Sequence, residues 1–170
     1  VAVSPIALGV LYILGNNANV TEIEDLAGKT IVASGQGGTP EYVLQKVLEN
    51  AGLEIGKDVK VEWLASHADV NTKLLSEEGT IAMMPEPFVS TALASGKEGV
   101  TQMFDLNALW NEATGQDLPM GVLVARKSFV EERADDLKVL LADYQASVDF
   151  VNNSPAEAAT AIVAKGFIGK

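Results

Sequence analysis

Apolar and polar positions along this chain follow two alternating periods. Short apolar runs read as strands: 8–14 (LGVLYIL), bounded by Pro5 and by Gly15-Asn16-Asn17, and 29–34 (KTIVAS), which follows the acidic turn TEIEDLAGK. Residues 58–65 (DVKVEWLA) alternate, with Val59, Val61 and Trp63 on one face. TIAMM, VTQMFDL and MGVLVARKS are further short runs, and a brief pairing at VAV is expected at the start. Helical spacing falls between them. In 40–52 (PEYVLQKVLENAG), Tyr42, Val43, Val47 and Leu48 form one stripe, and Gly52 ends it. In 68–79, Val70, Leu74 and Leu75 share a face; in 86–96, Phe88, Val89, Ala92 and Leu93 do. The segment 134–153 carries Leu137, Leu140, Leu141, Tyr144, Val148 and Val151, a long amphipathic helix with acids in its first turn. SFVE (128–131) and SPAE (154–157) both match the capping-box pattern.

From Lys29 to Leu106 the order is strand then helix, repeated. Such crossovers join parallel strands with right-handed connections, so the expected class is α/β, doubly wound, with a mostly parallel sheet. The 170 residues, 48% hydrophobic and 21% charged, suit one ordinary domain or two small lobes. No run is long and apolar enough to span a membrane. The first residue is Val, which leaves open whether a signal segment once preceded it. The absence of Cys removes disulfides, thiolate metal sites and a cysteine nucleophile. A net charge of −11 makes nucleic acid a poor partner.

The chemistry centres on SGQGGTPE. Gly35, Gly37 and Gly38 lie between a strand and a helix, with Thr39 as the expected N-cap and Pro40 as the first helical residue. Helix-start N–H groups at the carboxyl end of such a sheet can hold an anion; equally, the glycines can simply turn the chain. The loop is neither a Walker A nor a dinucleotide loop. Glu86, between two prolines in MMPEPF, should share that edge. It could accept a bond from a ligand amine, amide or ring N–H, or serve only as a first-turn acid. His67 is the single histidine, at or just before a helix start; it is a cap, a surface residue or a ligand contact. No carboxylates are spaced to complete a metal site around it, no cofactor motif is present, and no GxSxG or HExxH set suggests catalysis. Trp63 and Trp110 read as packing residues.

DLAGKTIVASGQGGTPEYVLQKVLENAGL, then DVKVEW, AMMPEPFVSTAL and LPMGVLVARKSFVEE…NSPAEAA, resemble the solute-binding proteins of ABC importers. The similarity is to the NMT1/THI5-like group, which includes thiamine-precursor, sulfonate, nitrate and taurine receptors. It runs over nearly the whole chain, with D-L-x-G-K and PEPF as its most specific motifs. The resemblance implies a type 2 periplasmic-binding fold: two α/β lobes joined by crossing strands, with ligand in the cleft between them. It implies residues 1–7 as hinge and first-lobe remnant, 8–118 as the second lobe, and 119–170 as return strand and first-lobe helices. LGVLYIL would be the first crossing strand. Family members are longer at both ends, so one complete lobe and part of another are expected here. The apolar surfaces of 8–14 and of the C-terminal helices could then pair with another copy.

By resemblance, Gln36, Gly37, Gly38 and Thr39 contact the ligand's polar group, Glu86 reads a donor, Ser4 is a hinge-side contact, and His67 is a further candidate. The implied function is capture of a small polar organic solute, without catalysis or cofactor, for permease and ATPase subunits. The implied place is outside the cytoplasm, in the periplasm or at the outer membrane face, with or without a lipid anchor. An amine-bearing or heterocyclic solute would suit both the loop and Glu86. The alternative is an enzyme on the same fold, of lyase or dehydratase type, acting on a small acid through Glu86. The pyrimidine-forming relatives rely on a cysteine-rich motif that this chain lacks.

Overall fold

The computed structural model describes residues 1–167. In chain order its elements are β1 (Ala2–Leu8), β2 (Leu11–Asn16), a 3-10 turn (Ile23–Leu26), β3 (Thr30–Ser34), α1 (Thr39–Asn50), β4 (Lys60–Leu64), α2 (His67–Ser76), β5 (Ile81–Pro85), α3 (Phe88–Ala94), β6 (Val100–Asp105), α4 (Leu106–Thr114), β7 (Pro119–Val124), α5 (Lys127–Glu132), α6 (Ala134–Asn153) and α7 (Pro155–Ala164). The chain divides into two compact units, Ser4–Val122 and Val1–Val3 with Leu123–Lys170. The last three residues of the expected 119–170 segment lie outside the described residues.

The Ser4–Val122 unit is built on a five-stranded sheet of order β4-β3-β5-β2-β6. β3 pairs in parallel with β4 and β5, while β2 runs antiparallel to both β5 and β6. β6 therefore points the same way as β3, β4 and β5, and the α/β, mostly parallel class holds with one reversed strand near the middle. Helices cover both faces. α1 supplies Val43, Leu44, Val47 and Leu48 to a core with Leu11, Ile13, Ile31, Ala33, Met83 and Leu106. On the other face Val70 and Leu74 of α2 and Val89 and Ala92 of α3 meet Leu14, Val32, Ala82 and Met84. Successive residues of β2 thus enter opposite cores, as a period of two requires.

The D-L-x-G-K motif has a structural explanation. The Asp25 carboxylate accepts bonds from the N–H groups of Thr21 and Glu22, at 2.9 and 3.0 Å, and so closes the turn. Those bonds hold its pKa below the ordinary carboxylate value. Leu26 is fully buried, and Gly28, at φ 76°, turns the chain into β3.

Four expectations need correction. First, the run 8–14 is not one crossing strand. It breaks after Leu8, where β1 ends; β1 pairs with β7 in a separate two-stranded sheet, and β2 lies inside the large one. Second, Leu11, Ile13 and Leu14 are buried there, so the exposed apolar surface of this run shrinks to Leu8 at its start. Third, α5 begins at Lys127 with Arg126 as its cap, so Ser128 lies inside the helix; at α7, Ser154 is the N-cap but makes no side-chain cap bond. Fourth, Gly38 rather than Thr39 is the N-cap of α1. One helix has no counterpart among the expected elements: α4, for which Asp105 is the cap, with bonds from the N–H groups of Asn107 and Ala108. In the second unit, α6 spans the expected residues 134–153. Val139, Leu140, Phe150 and Val151 on it are exposed.

Candidate functional site

The carboxyl ends of the codirectional strands, and the loops and helix starts that leave them, make the site. The pairings Ile31↔Ile81 and Val32↔Ala82 bring the ends of β3 and β5 to the same rim. The Gly35–Thr39 loop therefore leaves the sheet beside Glu86, as the sequence led us to expect. β4 pairs with β3 through Ser34↔Leu64 and delivers Ser66 and His67 to that rim. β2, running the other way, brings Tyr12 there, opposite Met84 on one side and Asp105 on the other.

Gln36, Gly37 and Thr39 are exposed, and Gly38 is half-buried. Gly37 sits at φ 78°, a conformation that suits glycine, and its N–H donates to the Glu41 carboxylate at 2.6 Å. Glu41 stands three residues past the Gly38 cap and reaches back to the residue before it, while the Gly38 N–H itself donates to the Gly35 carbonyl at 3.1 Å. An acid of this chain therefore already occupies the Gly37 amide.

Glu86 is exposed, and its carboxylate accepts from the N–H and the hydroxyl of Ser90, at 3.1 and 3.0 Å. It therefore satisfies the start of α3. Each carboxylate oxygen has a further lone pair, so accepting a ligand donor remains open to it. Its own N–H donates to the Val10 carbonyl at 2.9 Å, which fixes the backbone against β2.

His67 opens α2 after Ser66, whose hydroxyl caps the helix by accepting from the N–H of Asp69. The ring lies 2.5 Å, Nδ1 to Oγ, from Ser34, the buried last residue of β3. It also packs on Phe88, with ring centroids 5.5 Å apart. Burial lowers its pKa from 6.5, so the neutral ring is favoured. In the tautomer with the proton on Nε2, Nδ1 accepts the Ser34 hydroxyl proton. Burial raises the Tyr12 phenol above its ordinary pKa, and the fields of Asp105 and Glu86 add to the shift.

The rim thus joins Gln36, Gly37, Gly38, Thr39, His67 and Glu86, and adds residues the sequence pattern did not single out: Tyr12, Ser34, Glu41, Phe88 and Asp105. Tyr12 was legible from its strand alternation with Leu14, and Asp105 from its place before an apolar helical run. Glu41 was legible from its spacing to the loop. Ser34 carried no local signal, and Phe88 read only as part of a packing stripe. Ser4 stands apart: it lies in β1, outside the five-stranded sheet, and its hydroxyl donates to the Pro5 carbonyl. No cluster of potential metal ligands occurs among the described residues.

The fold has solved counterparts. The periplasmic aliphatic sulphonate binding protein SsuA from Escherichia coli matches with a TM-score of 0.69 and 22% identity, over 94% of this chain and 50% of that one. An ABC transporter protein from Parabacteroides distasonis matches with a TM-score of 0.71 and 18% identity, over 96% and 52%. The alkanesulfonate-binding protein SsuA from Xanthomonas axonopodis pv. citri, bound to MOPS, matches with a TM-score of 0.62 and 16% identity, over 95% and 55%. The chain spans about half the length of these structures. None of the curated proteins matches it. At these identities the likeness establishes the periplasmic-binding-protein fold. The sequence profile of the NMT1-like family covers residues 16–165, nearly the whole Ser4–Val122 unit and most of the second, and the chain belongs to that family.

Proposed function

We propose that this chain is part of the extracytoplasmic solute-binding component of an ABC import system, holding a small polar organic solute at the rim of the Ser4–Val122 unit without transforming it. That unit is one lobe of the binding protein, and its rim is one wall of the solute site. The permease and ATPase subunits of the importer are its partners. One observation carries the reading: β3, β4 and β5 bring the Gly35–Thr39 loop, His67 and Glu86 to a single sheet edge, in a chain of the NMT1-like family. Open α/β sheets bind ligands at that edge.

The energetics suit a binder. Micromolar affinity needs about 8 kcal/mol. Helix ends supply a small share, since Glu41 and Glu86 already occupy two of them. Most must come from apolar and aromatic contact, and Tyr12, His67 and Phe88 are the rings available for it. The Ser34–His67 pair argues for the same conclusion. A nucleophilic serine must be reachable, whereas Ser34 is 3% exposed.

The test is a panel of amines, N-heterocycles, carboxylates and sulfonates, titrated against the full chain. Trp63 and Trp110 both pack on the core of the Ser4–Val122 unit, so their fluorescence reports on it. The expected result is saturable 1:1 binding with every ligand recovered unchanged by mass spectrometry. Conversion of a bound compound at stoichiometric protein would establish the lyase-type alternative instead, and absence of any binder would refute the solute-binding reading.

A further inference from the structure

His67 joins three elements of the Ser4–Val122 unit. It is the first residue of α2, its Nδ1 lies 2.5 Å from the hydroxyl of Ser34 at the end of β3, and its ring packs on Phe88, the first residue of α3. These contacts suit the neutral ring. Ser34 is buried, and among the described residues Nδ1 is the only partner of its hydroxyl, so Ser34 donates and Nδ1 accepts. A cation in the first turn of α2 would also meet the positive end of the helix dipole.

Proton uptake reverses this. Once both ring nitrogens carry protons, Nδ1 can only donate. Ser34 Oγ must then accept, and its own proton is left buried without an acceptor. A second acceptor stands one turn along. Asn71 is four residues after His67, and helix side chains lean toward the N-terminus, so its side chain lies over the His67 turn. Its Oδ1 is buried with no hydrogen-bond partner among the described residues. The ring thus has one partner that suits its neutral form and another that suits its charged form.

The surrounding charges are committed elsewhere. Of the elements packed against α2, β3, β5 and α3 carry no ionisable side chain. β2 contributes Tyr12, whose pKa is raised. β4 contributes Lys60 at its start and Glu62, which pairs with Lys73 of α2. Asp69 of α2 accepts from the Ser66 hydroxyl, Glu77 lies at the far end of the helix, and Glu86, ahead of α3, accepts from Ser90. Burial is what lowers the His67 pKa, with no contribution from these groups.

We propose that His67 is an acid-sensitive latch. Neutral, it is held by Ser34 and fastens the start of α2 to β3 and, through Phe88, to α3. Protonated, it leaves Ser34, donates to Asn71 Oδ1 and releases that corner of the unit. The Gly35–Thr39 loop follows Ser34 directly and Glu86 stands two residues before Phe88, so release reshapes the ground between them. The latch rests on contacts within the chain and stands or falls apart from any solute.

NMR between about pH 4 and pH 8 tests it, following the His67 ring and the Ser34 and Phe88 amides in the full chain and in its Ser34→Ala, Asn71→Leu and His67→Gln variants. Ser34→Ala takes a bond from the neutral ring and should raise the His67 midpoint by about 0.5–1 pH unit. Asn71→Leu takes the acceptor from the charged ring and should lower it by about as much. In the unmodified protein the Ser34 and Phe88 amides should titrate with the His67 midpoint, and in His67→Gln they should lose that transition. Far-UV circular dichroism at pH 7.5 checks that each variant is folded, and the amide titration of the unmodified protein decides the case where one is not. A Ser34→Ala midpoint that stays or falls, an Asn71→Leu midpoint that stays or rises, or Ser34 and Phe88 amides indifferent to the ring's titration overturns the latch.

Discussion

Asn16 offers the sharpest test of how the Ser4–Val122 unit is held together. It ends β2, is fully buried, and donates through Nδ2 to the carbonyls of Leu74 and Glu77, at 2.8 and 3.1 Å. Leu74 is in the last turn of α2 and Glu77 is its C-cap, and the other end of the helix carries His67. One side chain thus ties the helix to β2. Asn16→Ala removes two bonds of about 1 kcal/mol each and leaves a buried carbonyl without a partner, at about 1–3 kcal/mol. The Oδ1 atom already lacks a partner, so its loss offsets part of that cost. The expected net destabilisation is about 2–4 kcal/mol, a large share of the about 5–15 kcal/mol a domain possesses.

Asn16→Asp sharpens the test. It is nearly isosteric but sets a carboxylate against two carbonyl oxygens in a buried site, which should cost more than Asn16→Ala at neutral pH. Burial raises the folded pKa of such an acid above its unfolded value near 3.9, so the unfolded state binds fewer protons between the two. Stability of this variant therefore falls as pH rises through that interval and returns as pH is lowered. Urea unfolding followed by the fluorescence of Trp63 and Trp110 reads this unit. With a slope of about 2 kcal/mol/M, Asn16→Ala should lower the midpoint by about 1–2 M at constant slope. An Asn16→Ala midpoint within about 0.3 M of the unmodified protein, or an Asn16→Asp variant as stable as it at pH 7, would refute the assignment of Asn16 as the tie.

Two further outcomes rest on the same packing. The single His67 resonance should titrate with a midpoint below 6.5, since burial favours the neutral ring. Its folded pKa is the lower one, so its contribution is fully present above pH 6.5 and is lost as pH falls toward the folded value; NMR titration and urea midpoints at pH 7.5 and 5.5 check both, and a midpoint at or above 6.5 contradicts the burial argument. Leu44→Ala, at a fully buried position in the core beneath α1, should cost about 2–5 kcal/mol in the same urea assay, and a loss below about 1 kcal/mol would mean that α1 is not anchored by this face.

Much of this protein is written in local pattern. The stripe Val43, Val47 and Leu48 makes α1, the alternation of Val59, Val61 and Trp63 makes the β4 region, and each repeats a period that backbone geometry imposes on any chain burying one face. Strand followed by helix, repeated, is enough for parallel pairing of β3, β4 and β5, and with it for a loop and an acid at one rim. The sequence by itself therefore determined the class, the rim and the pair of groups, Gly35–Thr39 and Glu86, that meet there.

Only tertiary structure decided what those groups are doing. Whether the Gly37 amide is free depends on the rotamer of Glu41, and whether the Glu86 oxygens are free depends on Ser90; both are choices among hydrogen-bond partners of similar energy. Ser34 became a partner of His67 through registry between β3 and the strand before α2, a long-range pairing that neither segment records locally. The break after Leu8 belongs to the same kind of information. An apolar run such as LGVLYIL can be one strand or two, and the sheet that buries it, with partners from β5 and β6 far along the chain, sets where it divides.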